Sequence, residues 1–353
     1  MTSMVTHFHL ASDIVTKSIN LITRASFLLA LFLSTEYLTA SDIDYKYETE
    51  SVTSLGDAAD DPAIWFNKLN PTQSLIFGTD KRKGIHVYDI YGNELAFSKQ
   101  GATNNIDLRV INKDVHLVVS NRTLSTLDYW IFPEENLFNY FKEKSADAFS
   151  EDVIHLHLKA NMNVYGVCMG LVDGKPYAAL TEEEGPTIQL WDLTSKQVIN
   201  TLDITADETN VPKSGNEAEG CVFDDENKHL LISREGKRGY LKAFKSDTLE
   251  MIKVVDSRDG NIIGDPEGVA IYATSDNEGY VILSSQGSNE FNLYDRKNLT
   301  FIEKFKINGV EDTDGLDVTN NQVKGIFPDG FLVVQDGRNL PNNQNFKIIS
   351  MEE

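Results

Sequence analysis

The residues best placed to do chemistry in this chain are acidic, and they recur at matching points. Asp60 and Asp61, Asn105 and Asp107, Glu219, Asp265 and Glu267, and Asp312 and Asp314 each stand at the head of a short apolar run, and Tyr165 holds that place in one more segment. A second set closes the next apolar run: Asp80-Lys81, Asn121-Arg122, Glu182-Glu183, Arg234-Glu235, Gln286 and Asp336. If the second run returns antiparallel to the first, both sets meet at one rim. So many carboxylates in one basin repel one another unless something neutralises them. Hard cations with oxygen ligands do this, and calcium, which takes about six to eight oxygens in irregular geometry, suits the set. No Cys or His cluster suggesting zinc stands among these positions. A turn-capping role would explain any one of these acids as well as a metal does. Their shared placement distinguishes the set.

Other phosphate chemistry is excluded by missing motifs. The sequence has no GxxxxGK[ST] loop and no GxSxG elbow. Neither Cys168 nor Cys221 is followed at the sixth position by Arg, and no Arg-His-Gly triplet occurs. A hydrolase built on this basin would therefore attack with water made acidic by adjacent cations. Lys81, Arg122 and Tyr165, with Lys83 and Arg109 expected nearby, would face an anionic substrate.

The elements that must hold these residues are β-strands. Runs of Val, Ile, Leu, Phe and Tyr are cut by Gly, Asn and Asp turns, and the one candidate for a helix is a short irregular stretch at 133–150. Segments 60–80, 104–122, 164–183, 217–235, 265–286 and 312–336 repeat one pattern with a period of about fifty residues. Each pairs a small apolar strand with a strongly apolar one. A third strand follows, such as GIHVYDI or TIQLWDL, and all but the last segment go on to a fourth, more polar one. The segment DYKYETESV (44–52) precedes the first repeat as a fourth strand precedes every other. The pattern predicts an all-β fold: a six-bladed β-propeller of four-stranded antiparallel blades, closed by an N-terminal strand that completes the last blade. A large β-sandwich would leave the repeat unexplained.

Composition sets the surroundings. Of 353 residues, 54 are acidic and 32 basic, a formal charge of −22. That excludes a nucleic-acid binder and docking on anionic membranes. Lys17 and Arg24 precede the apolar run 25–34, too short to span a bilayer, and Leu38-Thr39-Ala40 follows. Residues 1–40 read as a secretory signal and 41–353 as the folded domain, secreted or periplasmic. Cys168 and Cys221 would pair if their strands are neighbours; the preferred reading is two buried thiols acting as small hydrophobes. His155 and His157 alternate on one strand face and are read as solvated. Asp224, Asp225 and Glu278 are read as turn residues.

ETESVTSLGDAADDPAIW, TDKRKGIHVYD, NNIDLR, VYG, EAEGCVFDDE, DPEGVAIY, SSQGSNEFNLYDR, DTDGLDV, VVQDG and NQNFK resemble, in order, motifs of the β-propeller (alkaline) phytases, over about residues 48–347. The resemblance implies calcium-dependent release of phosphate from phytate, myo-inositol hexakisphosphate, with several bound calcium ions; a monomer is expected by analogy with other propellers. It implies calcium ligands at Glu48, Asp60, Asp61, Glu219, Glu235, Asp265, Glu267 and Asp312. Lys81, Arg122 and Tyr165 would contact phosphate, and Glu219, Asp61 and Tyr165 would surround the attacking water. The chain departs from the pattern at Thr181-Glu182-Glu183-Glu184-Gly185. There Glu183 stands where the family commonly has Lys, and Arg234 is expected to supply the lost positive charge. The rival readings are a non-catalytic, calcium-dependent binder of inositol phosphates and a propeller hydrolase for another phosphoester.

Overall fold

A computed structural model describes residues 41–145, 148–149, 153–211 and 215–352. The targeting segment expected at 1–40 lies outside the described residues.

Six sheets follow one another along the chain. Blade one is β3 (Ala59–Trp65), β4 (Leu75–Asp80), β5 (Gly84–Asp89) and β6 (Glu94–Lys99); blade two is β7 (Thr103–Ile111), β8 (Asp114–Asn121), β9 (Thr126–Pro133) and β10 (Ile154–Lys159). Blade three is β11 (Val164–Val172), β12 (Lys175–Glu182), β13 (Thr187–Asp192) and β14 (Gln197–Asp203); blade four is β15 (Cys221–Asp224), β16 (His229–Arg234), β17 (Tyr240–Lys245) and β18 (Met251–Ser257). Blade five is β19 (Asp265–Ala273), β20 (Gly279–Gln286), β21 (Glu290–Asp295) and β22 (Phe301–Ile307). Blade six has β23 (Leu316–Thr319), β24 (Phe331–Asp336) and β25 (Asn345–Ser350). Its outer strand is β2 (Tyr47–Glu48), antiparallel to β25 through Tyr47↔Ile348 and Glu48↔Lys347. The N-terminal closure expected from segment 44–52 is what the chain does.

Burial follows strand position. Every residue of β4 is buried, whereas β14 is mostly exposed. A strand flanked by blades on both faces reads as a continuous apolar run, and a strand at the outer edge does not. The apolar side chains collect into six clusters, one per interface between neighbouring blades. The cluster joining the last blade to the first contains Ile76 and Tyr88 from blade one and Phe331, Val333 and Phe346 from blade six. The core is thus a closed ring of interfaces around an axis.

The stretch at 133–150, the one helical candidate in the sequence, contains a short helix, Leu137–Lys144, whose Leu137 and Phe141 pack into the cluster between blades one and two. Two features depart from the sequence reading. Blade five gains a fifth strand, β1 (Ser41–Ile43), parallel to β22. Cys168 and Cys221 are joined as a disulfide, not held as thiols. They lie on β11 and β15, the inner strands of adjacent blades, with Cα atoms 5.6 Å apart. The chain alone cannot show at what height two inner strands come side by side.

This bridge spans 53 residues of sequence. A loop of that size restricts the unfolded chain by about 4 kcal/mol in the chain-entropy account. Replacing both cysteines by Ala is expected to lower stability by roughly 2–4 kcal/mol, read as the midpoint shift in denaturant. An unchanged midpoint would show that the bridge adds nothing.

Candidate active site

The site starts from irregularities in the inner strands. Register with the second strand slips between Ala59 and Pro62, between Thr103 and Ile106, between Val164 and Val167, and between Pro266 and Val269. The slipped residues include Asp60, Asp61, Asn104, Asn105, Tyr165 and Glu267. A bulge frees its residues from the ladder and re-aims their side chains. In blades four and six the corresponding residues, Glu219 and Asp314, lie just before β15 and β23.

A glycine follows Tyr165, Glu219, Glu267 and Asp314, and it lets the next blade approach. A Cβ on Gly166 would lie 1.9 Å from the Glu219 carbonyl oxygen, and one on Gly220 would lie 2.0 Å from that of Glu267. Gly268 and Gly315 meet Asp314 and the Asp60–Asp61 backbone in the same way. Each polar side chain therefore projects from a backbone pressed against its neighbour.

Glu219, Glu235 and Glu267 converge, with one carboxylate oxygen from each lying within 4.8 Å of the others. Glu219 Oε1 accepts from Asn104 Nδ2 at 2.9 Å and Oε2 from the Tyr165 hydroxyl at 3.2 Å. Glu235 Oε1 and Glu267 Oε2 are buried without a hydrogen-bond donor among the described residues. Burial first, and then the neighbouring carboxylates, push the Glu235 and Glu267 carboxyls well above the ordinary range. Unpartnered, mutually repelling carboxylate oxygens fit a hard, oxygen-seeking divalent cation. These residues line a cavity of about 700 Å³ together with Lys81, Tyr165 and Asp312.

Lys81 is the cation on this side. Its ammonium lies 2.9 Å from Asp57, 3.0 Å from Asp60 and 2.9 Å from Asp314. Burial alone would lower the Lys81 pKa, but Asp60 and Asp314 hold it above the ordinary lysine value. Asp314 is pushed up to about 7 by burial, against the pull of Lys81. Arg122 stands in an adjoining hollow with Tyr165, Asn104 and Glu217. Its guanidinium lies over the Tyr165 ring, 5.6 Å from the centroid, and Nη1 donates to Asn104 Oδ1. Nη2 is held by Glu183. The carboxylate at Glu183 thus takes one prong of the guanidinium.

Several expected residues stand elsewhere. Arg234 is fully buried, bonded to Glu208 and Asn216 and packed over the Tyr240 ring. It does not replace the missing lysine. Arg234 and Glu235 are neighbours at a strand end and face opposite ways, so only Glu235 reaches the basin. Asp61 turns from the basin to line a cavity of about 300 Å³ along the axis, with Asn105, Asp107, Arg109 and Asp317. Its Oδ2 accepts from the Ile106 amide at 3.0 Å. Arg109 pairs there with Asp107 and Asp225, and Asp224 pairs with buried Arg296, so neither acid is merely a turn residue. Glu48 sits on β2 with its carboxylate on Lys347, 2.5 Å away. Asp265 is half exposed and bonded to Arg258 and the Gly236 amide. The sequence reading missed Asp57, Glu217 and the 337–344 loop, which also borders the basin. The alternation Glu217-Ala218-Glu219 marked the second of these.

Comparisons with known proteins bear on this arrangement. The family model described as Phytase matches residues 12–353. The 3-phytase of Bacillus subtilis (strain 168) is 31% identical over 327 residues, covering 87% of this chain and 82% of that one. Among solved structures, a luciferin-regenerating enzyme superposes with a TM-score of 0.54 at 13% identity, covering 85% of this chain and 94% of that one. The WD40 repeats of RRP9 superpose with a TM-score of 0.52 at 12% identity, covering 89% and 99%. At such identities these two show the propeller fold alone.

The glycine contacts make a test of how the basin is held. Gly220→Ala is expected to destabilise the protein by roughly 1–3 kcal/mol, because its methyl group displaces the Glu267 backbone. The Tm measures this, and a Tm equal to that of the parent would show that the inner strands have slack at this point.

Proposed function

This chain belongs to the phytase family, and on that footing we propose that the acidic basin removes phosphate from phytate with the help of bound calcium. The enzyme is a phosphoric monoester hydrolase whose substrate is a small inositol phosphate. The observation that carries the calcium reading is the convergence of Glu219, Glu235 and Glu267, with buried oxygens that no protein donor satisfies. These three would hold calcium, and Asp312, which lines the same cavity, would add a further carboxylate; Asp60 and Asp265 would serve further ions only by giving up Lys81 and Arg258. When bound, calcium supplies positive charge to phosphoryl oxygens and acidifies a water for attack.

The remaining work falls to this chain's own side chains. Tyr165 keeps its phenolic proton, since burial, and then Glu219 and Glu235, hold its pKa far above the ordinary value. It is therefore a hydrogen-bond donor to whatever oxygen stands opposite. Asn104 donates to Glu219 and accepts from Arg122, so one amide fixes both an acid and a cation. Lys81 stays charged in its ring of carboxylates, and it would reach phosphate by exchanging one of its three partners, exposed Asp57 being the readiest to leave. Arg122 can clamp phosphate with its two-pronged fork once Glu183 lets go. The disulfide supports export to an oxidising compartment. Among the described residues no helix is long and apolar enough to cross a membrane.

Inorganic phosphate release from phytate is expected with added calcium, to vanish with excess chelator and to return on adding calcium back. Release that survives the chelator would sink the calcium mechanism, and calcium-dependent phytate binding without release would favour a non-catalytic binder. A second outcome concerns Glu183. Glu183→Gln is expected to lower the KM for phytate roughly fivefold, equivalent to ~1 kcal/mol for a partly exposed ion pair that phosphate no longer has to displace. An unchanged or raised KM would show that Glu183 positions Arg122 rather than competing for it.

A further inference from the structure

The outer edge of blade two carries a second cluster of metal-ligating side chains. The sequence Ile154-His155-Leu156-His157 lies on β10, the outermost strand of its blade. The antiparallel register sets His157 opposite Asp128 and His155 opposite Trp130 on β9. His155, His157 and Asp128 therefore share one face of a two-stranded ribbon. One ligand atom from each lies within 4.8 Å of the other two.

These groups are held as ligands usually are. His155 stacks on Trp130 with ring centroids 4.1 Å apart, which fixes the imidazole plane. Its Nε2 is buried and has no hydrogen-bond partner among the described residues. Asp128 is fully buried and oriented from behind, with Thr126 Oγ1 at 2.7 Å and Asn121 Nδ2 at 2.8 Å. Such supporting bonds are the usual second layer of a metal site. His157 Nδ1 lies 2.6 Å from Asp128 Oδ1, and its side chain is half exposed and free to adjust. The solvated face expected from sequence explains His157 but not the buried, unpartnered nitrogen of His155.

We propose that His155, His157 and Asp128 form a metal site distinct from the acidic basin, suited to a borderline transition-metal ion of the zinc class. Two imidazoles and one carboxylate are soft enough for zinc and give calcium too few oxygens. A tetrahedral zinc ion with bonds of about 2.0 Å spaces its ligands roughly 3.3 Å apart. The ion enters as His157 swings outward from its hydrogen bond to Asp128. The Nδ1 proton shifts to the other ring nitrogen, and solvent completes the coordination. The ion ties the outermost strand of blade two to its neighbour.

The test titrates the full-length protein with Zn²⁺ by calorimetry, with calcium present in excess to occupy the acidic basin. Cobalt(II) absorption gives a second reading of ligand geometry. Two variants are compared: His157→Gln, and His155→Phe, which keeps a ring stacked on Trp130. A single zinc equivalent is expected in the parent protein, weakened at least about tenfold in each variant, with calcium-dependent phosphate release unchanged. Absence of zinc binding in the parent, or parental affinity in either variant, would overturn the proposal.

Discussion

Everything at the basin depends on how closely the inner strands crowd around the axis. Gly166 and Gly220 leave less than the width of a methyl group between one blade and the next. The residue just before each glycine has one open direction left, toward the shared rim. Acids are thus brought together by backbone packing. The six apolar interfaces supply the force that holds them there, at the cost of electrostatic repulsion.

That repulsion is only partly relieved within the protein. Lys81 answers Asp57, Asp60 and Asp314, and Arg122 answers Glu183. Glu235 and Glu267 are left raised and unpartnered. Binding of a cation there would also be folding energy, because the unfolded chain does not bring the three glutamates together. Stability and chemistry then draw on one site.

The architecture was legible because repetition is a sequence property. The period and the borrowed strand at 44–52 needed no tertiary information. Glu219, Glu267, Lys81, Arg122 and Tyr165 were found for the same reason, each standing at an equivalent point of its repeat. Adjacent pairs were read too generously. Asp60 is buried against Lys81 whereas Asp61 lines the axial cavity, and Arg234 turns into the blade where Glu235 turns out of it. What a repeat cannot encode is contact across blades. The Cys168–Cys221 bridge, the grip of Glu183 on Arg122 and the pairing of Arg109 with Asp225 all join different blades. The His155–His157–Asp128 cluster depended on strand register, which alternation alone leaves open.

The two-residue strand at Tyr47–Glu48 fixes the order in which the molecule can become whole. Its partner, β25, is the last strand in the chain. During synthesis the earliest part of the ring must wait, unpaired, for the latest. Five blades can form in succession as they emerge, but the circle has no fastening until its far end arrives. Deletion of β2 or of β25 would therefore weaken the same seam, although they lie roughly three hundred residues apart in the chain.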